Sequence, residues 1–143
     1  MKKRILVPDT AVPGITSLEY LKASGKTAMQ RTTLSAPMRL ITQTAYWKDY
    51  GPDRLDYGCG KGTDADLLGI EGWDPVYRGN SDILGKRYDI ITMIYVLNTL
   101  PKELRLKTLE TARGFLKPDG LMIVVVRDDV KQPYKTKLGT YRS

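Results

Sequence analysis

Two stretches of the chain are apolar at almost every position: Tyr88-Asp89-Ile90-Ile91-Thr92-Met93-Ile94-Tyr95-Val96-Leu97 and Leu121 to Val126. Such runs, without alternation, are expected of strands covered on both faces in a parallel sheet. Shorter runs at Arg54-Leu55-Asp56-Tyr57 and Ile70 to Trp73 read as two more strands. Elsewhere the period is helical. Ser35-Ala36-Pro37 is an N-cap followed by a first-turn proline. Met38, Ile41 and Ala45 then repeat up to about Lys48, before Gly51-Pro52 stops the helix. A helix of little more than one turn is predicted over Asp64 to Leu68. Another opens at Pro101 and Glu103, with Leu106, Leu109, Ala112, Phe115 and Leu116 as its apolar stripe. It ends at Lys117, and Pro118-Asp119-Gly120 turns the chain. The 13 residues from Pro75 to Arg87 leave room for loop, with at most a short strand or turn around Ile83-Leu84. Upstream, Ile5-Leu6-Val7 is either a short strand or a tether, and Thr16-Ser17-Leu18-Glu19 caps a helix running to about Ser24. Gly25-Lys26-Thr27 lacks the upstream glycine and strand of a phosphate-binding P-loop. The order strand–helix–strand–loop–strand–helix–strand predicts an α/β fold, a doubly wound and mostly parallel sheet with right-handed crossovers.

Composition narrows this picture. At 143 residues, 41% hydrophobic and 27% charged, the chain is one ordinary domain. Within it, residues 1–53 form a helical substrate or lid region, 54–127 a ligand-binding core and 128–143 a basic tail. The longest apolar run is too short to cross a bilayer, and the N-terminal one too short for an export signal. No membrane partner is expected. A single cysteine, Cys59, fits a reducing, cytoplasmic setting. With no histidine and one cysteine, a zinc site or a histidine-based triad within one chain is excluded, and no metal is expected.

The net charge of +7 sits on the flanks. Residues 1–54 hold nine Lys/Arg against four Asp/Glu, residues 55–126 nine against ten, and residues 127–143 five against two. Basic flanks on a neutral core suit a negatively charged partner, nucleic acid first. Simple solubilisation explains them as well.

The chemistry concentrates in Arg54 to Pro75. Gly58, Gly60 and Gly62 alternate after a strand and before a helix, where backbone can approach a ligand closely. Asp74 closes the next strand 18 residues after Asp56, a placement that suits hydrogen bonds from ribose hydroxyls. In such sheets ligands bind outside the carboxyl ends of the strands. The glycine turn, Asp74 and the segment after Tyr95 all fall there.

L-D-Y-G-C-G-K-G, G-W-D-P, Y-D-I-I-T-M-I-Y-V-L-N-T-L-P and F-L-K-P-D-G-L-M-I-V-V-V occur in this order. They resemble successive motifs of class I S-adenosylmethionine-dependent methyltransferases, over about half the chain. The glycine spacing is G-x-G-x-G, unlike the dinucleotide-binding G-x-G-x-x-G. The resemblance implies a Rossmann-like fold with S-adenosylmethionine as cofactor. It implies that Asp56, Tyr57, Gly58, Cys59 and Gly60 hold the methionine part, with Gly62 allowing close approach. Asp74 would take the ribose, Pro75 and Val76 the adenine, Asp82 the adenine amino group, and Ile94 and Tyr95 the wall from the following strand. The final β-hairpin of that fold reads as missing or rudimentary, a sheet truncated at its C-terminal edge, whose exposed strand would suit a homodimer. The upstream T-A-M-Q-R-T-T-L-S-A-P-M-R-L also resembles putative methyltransferases associated with DNA phosphorothioation clusters.

Asn98-Thr99-Leu100-Pro101 occupies the family's catalytic segment, where amino-methylating nucleic-acid enzymes carry Asn/Asp-Pro-Pro-aromatic. Asn98 is the catalytic candidate, and a helix-entry cap is the plain alternative. For Cys59, packing inside the glycine turn is favoured over nucleophilic chemistry. Arg31 and Arg39 could bind phosphate, form a lid, or simply pair on the surface. Tyr46, Trp47 and Tyr50 are expected in core or interface. Lys131, Lys135, Lys137 and Arg142 with Tyr134 and Tyr141 would suit a nucleic-acid strand or a solvated tail. The reading is a methyltransferase acting on a nucleic-acid or nucleotide-type substrate. The alternatives are a non-catalytic binding module and a small-molecule enzyme.

Overall fold

The computed structural model describes residues 31–79, 81–127 and the backbone of Tyr134–Lys135 and Tyr141–Arg142. The strand or tether at Ile5–Val7, the helix from Ser17 to Ser24, Gly25-Lys26-Thr27 and the side chains of the basic tail lie outside the described residues.

Helices α1 (Ala36–Ile41) and α2 (Ala45–Asp49) precede β1 (Arg54–Tyr57), α3 (Thr63–Leu68) and β2 (Glu71–Trp73). Next come β3 (Tyr88–Ile94), a 3-10 turn (Leu97–Thr99), α4 (Lys102–Arg113) and β4 (Leu116–Val125). A separate antiparallel pair, β5 (Tyr134–Lys135) and β6 (Tyr141–Arg142), follows, with β6 against the 3-10 turn. The main sheet runs β2-β1-β3-β4, every neighbouring pair parallel. Strand order reverses between β1 and β3, the switch point at which a doubly wound sheet opens a crevice.

Alternation along the strands divides the core in two. Leu55, Tyr57, Trp73, Ile91 and Met93 pack on one face with Leu104 and Ala112 of α4. Ile90, with Ile94, Ile123 and Val125 partly covered, packs on the other face with Met38, Ile41 and Trp47 of α1 and α2. Five of the seven β3 residues are buried, as its unbroken apolar run predicted. Ile83, buried at 3%, anchors the β2–β3 connection into the first core.

Three features depart from the sequence reading. The predicted helix from Ala36 to Lys48 is two helices. The N–H groups of Gln43 and Thr44 bond the carbonyls of Leu40 and Ile41 in tightened turns. Thr44 is extended and restarts the helix as an N-cap, its hydroxyl accepting from Trp47 N at 3.4 Å. A short polar side chain that bonds the backbone competes with helix continuation. Secondly, α4 ends at Arg113, and its covered positions are Leu104, Thr108 and Ala112 at i, i+4 and i+8, leaving Leu106 64% exposed. Thirdly, Pro118-Asp119-Gly120 lies within β4. Tyr88 pairs with Leu116 and Ile90 with Leu121, so five steps on β4 match two on β3 and the turn becomes a bulge. Although Leu121 to Val126 reads as a buried strand, none of these six residues is fully buried.

Candidate functional site

The glycine turn leaves β1 at Tyr57 and enters α3 at Thr63, with Gly58, Gly60 and Gly62 at φ of 80°, 59° and 85°. This left-handed backbone is close to free for glycine and costs other residues roughly 1–2 kcal/mol. Space adds a second requirement. A Cβ on Gly58 would sit 2.5 Å from Cγ2 of Val96, and one on Gly62 would meet the Arg78 guanidinium at 2.1 Å.

Two predicted acids flank this turn. Asp56 is buried beside Thr92, its partner in the β1–β3 register, and its Oδ1 accepts from the Thr92 hydroxyl at 2.9 Å. Burial pushes the Asp56 carboxyl up to about 7, with the Thr92 bond opposing and the charges of Asp64 and Asp74 adding to the rise. Asp74 stands at the end of β2. Its Oδ2 accepts from Gly60 N at 2.9 Å, while Oδ1 accepts from Val76 N at 2.9 Å and Tyr77 N at 3.1 Å. Burial also raises its pKa, against those three bonds. A carboxylate has about four acceptor positions, so Asp74 retains room for one further donor. Pro75, Val76 and Tyr77 form the turn that its Oδ1 caps, closed by the pairing of Asp74 with Arg78.

Ile94 and Tyr95 end β3 at the same sheet edge. Tyr95 takes φ 56°, bonds Val125 O through its own N–H at 2.8 Å and is 41% exposed. That conformation in a bulky residue stops the strand three residues short of the predicted Leu97 and turns the chain into the 3-10 turn. Asn98, in that turn, is 1% exposed, and among the described residues neither its amide nitrogen nor its oxygen has a hydrogen-bond partner.

Cys59 is a packing residue. Its Sγ lies 2.9 Å from where a Gly72 Cβ would stand, next to Ala65, and burial raises its thiol pKa far above the reactive range. Asp82 stands apart from the others: it is exposed, and its charge acts on Lys86 and Tyr88 at the opposite, amino-terminal edge of the sheet. The compact β2–β3 connection carries it there. Trp47 is in the core, as expected, and Tyr46 is 64% exposed.

Sequence reasoning missed two supports. Asp64, in the first turn of α3, is buried and accepts from Ser35 N at 2.8 Å and the Ser35 hydroxyl at 2.7 Å, with Arg31 at 3.5 Å. Ser35 is thus the predicted cap of α1 and also the latch between the helical region and the glycine turn. The sign was an acid just after the last glycine. Arg78 is the other, gripping Asp66 through paired contacts of 2.8 and 2.6 Å and Lys61 O at 3.0 Å. Its side chain clasps the turn after β2 to the turn after β1. Arg39, by contrast, is exposed, and its guanidinium bonds Leu34 O at 3.3 Å.

Among the described residues no group of His, Cys, Asp and Glu could hold a metal ion, and no helix is long and apolar enough to cross a membrane. A parallel α/β sheet with a glycine turn, buried acids and a strained strand end on one edge defines a doubly wound ligand-binding domain. The family model for the methyltransferase domain matches residues 29–142, about four fifths of the chain. The chain belongs to that family. No curated protein matches it. Among solved structures, one titled DhpI-SAM-HEP complex is similar at 14% identity with a TM-score of 0.43, over 96% of this chain and 82% of that one.

Proposed function

We propose that this chain binds S-adenosylmethionine at the carboxyl edge of its sheet and transfers the methyl group to a nucleic-acid or nucleotide-type acceptor. Family membership supports the reaction class, and one geometric observation supports the ligand. Buried Asp56 and Asp74 face a positive-φ glycine turn from adjacent strands, in a chain of net charge +7. Two buried acids near one another are costly alone and suit a cationic ligand with hydroxyls. When bound, the cofactor supplies an electrophilic methyl group on a sulfonium.

The chain's own groups then bind and orient. Asp56, once ionised, accepts from an ammonium, and the glycine backbone admits the ligand closely. Asp74 offers its remaining acceptor position to a ribose hydroxyl. Pro75 and Val76 cover the base, and Ile94 and Tyr95 wall the pocket. Alignment of acceptor and methyl supplies the rate without a strong general base. Asn98 presents both a donor and an acceptor, which matches the edge of a nucleobase. The basic flanks favour a nucleic acid among the acceptors. One observation favours a second reading, a binding module without turnover. Asn98 is 1% exposed, so the acceptor side is closed in this conformation.

Calorimetry with S-adenosylmethionine tests the ligand; an absence of binding heat and of any thermal shift would sink the proposal. Tritiated-methyl transfer to DNA, RNA and nucleosides tests the reaction. Binding without transfer to any of them would leave the module. Retention on DNA that falls with salt would support the polymeric acceptor.

A further inference from the structure

Strand β4 is the place where this fold departs furthest from its sequence pattern. Leu121 to Val126 contains six apolar residues and no charge, yet Val124 is 39% and Val126 52% exposed. Within the four-stranded sheet β4 pairs only with β3, so its other side is an edge. Edge strands in monomers are ordinarily shortened, charged or covered. β4 spans ten residues, and from Leu121 to Val125 it carries no charge or proline and has no second strand partner among the described residues.

The direction of its backbone groups can be worked out. Val125 O accepts from Tyr95 N, in the register that sets Ile94 beside Val125. A residue's N–H and C=O point to the same side of a strand, and the side alternates. Leu121, Ile123 and Val125 therefore face β3, while Met122 and Val124 direct their backbone groups outward.

Beside this edge a groove of about 320 Å³ runs between α4 and β4, lined by Leu106, Leu109, Leu116 and Met122, with Glu110 and Arg113. Leu106, 64% exposed, lies on it. We propose that this edge and groove form the contact face of a twofold-symmetric dimer, in which β4 pairs antiparallel with β4 of a second copy. Two identical edges related by a twofold axis can pair only antiparallel, and each supplies the outward groups that the other needs. The groove charges agree with this occupant. Glu110 and Arg113 are of opposite sign, so a self-complementary contact can set each against its opposite. The inference does not depend on the cofactor reading.

Sedimentation velocity of the full chain from low to high micromolar concentration, with hydrogen exchange at Met122 and Val124, tests it. Val124→Pro removes an outward N–H and no bond to β3. Leu106→Lys places a charge on an exposed position. The wild type is expected to sediment as a dimer with slowly exchanging Met122 and Val124 amides. Both variants should be monomers with native circular dichroism and fast exchange at Met122. If Val124→Pro fails to fold, Leu106→Lys carries the test. A wild-type monomer overturns the proposal: slow amides would mean that the chain's own residues cover the edge, fast ones that it stays open. A dimer that persists in the folded variants places the contact elsewhere and equally overturns it.

Discussion

Replacing Asp56 by Asn should stabilise this protein at neutral and alkaline pH while weakening cofactor binding. Burial lifts the Asp56 carboxyl from its ordinary 3.8 to about 7. At about 1.4 kcal/mol per pH unit, a rise of that size corresponds to about 4 kcal/mol. Between those values the folded chain holds a proton that the unfolded chain has released. Stability therefore falls as pH rises from about 4 to about 7, then levels off. Asn carries no such proton and keeps an oxygen for the Thr92 hydroxyl, bonded at 2.9 Å in the wild type. The two proteins should be about equally stable near pH 4, and the variant ahead by about 4 kcal/mol at pH 8. That is a large part of the 5–15 kcal/mol typical of a domain. The chain has no histidine to obscure this window. Asp74, raised in the same direction, is common to both proteins and largely cancels in the difference. Urea unfolding followed by the fluorescence of Trp47 and Trp73 at several pH values gives the measurement. Parallel stability curves for wild type and variant would refute the reasoning, as would a variant less stable at pH 8. Calorimetry should show Asp56→Asn losing affinity for S-adenosylmethionine even as it gains stability.

Other expectations follow from single contacts. Gly58→Ala should cost about 2 kcal/mol or more, from φ 80° and the fixed Val96 methyl. Gly62→Ala adds to the backbone strain the displacement of the movable Arg78 tip from Asp66 and Lys61 O and should cost about 1–2 kcal/mol, less than at the fixed Val96 methyl, an ordering that thermal melts check. Ser35→Ala removes a cap and a hydroxyl bond to buried Asp64, about 2 kcal/mol in a denaturant titration, with faster proteolysis between Arg31 and Asp49. Tyr95→Asn should raise the unfolding midpoint by about 1 kcal/mol in stability, because Asn tolerates φ 56°. Weaker cofactor binding should accompany it, and unchanged affinity would remove Tyr95 from the pocket.

The parallel core was legible because its signal is simple: β3 is apolar on both faces and is buried on both faces. The edge was not legible in β4 itself, because its apolar run says nothing about how many neighbours the strand has; only the shortened final hairpin implied by the family resemblance pointed to an exposed strand. The break between α1 and α2 was hidden because Thr44 fits a helical period, while the backbone bonds of Gln43 and Thr44 decide otherwise. Leu106 looked like core for a similar reason; the helix turns Leu104 and Thr108 inward instead. At the site, glycine spacing marked the turn, but the partners of Asp64 and Asp56 lie 29 and 36 residues away in sequence. Asp82 shows the reverse, a residue of suitable type that its short connection carries to the other end of the sheet.

Asp74 has one further consequence. Its carboxylate holds Gly60 with one oxygen and the turn through Val76 and Tyr77 with the other. The side chain proposed to select the sugar is thus also the rivet of the frame around it. An engineer seeking a different nucleoside cannot exchange this acid as an independent specificity element. Any substitute lacking two separate acceptors would let the two turns drift apart, so altered preference and a loosened pocket would arrive together. A redesign of selectivity would have to begin with the backbone of the two turns.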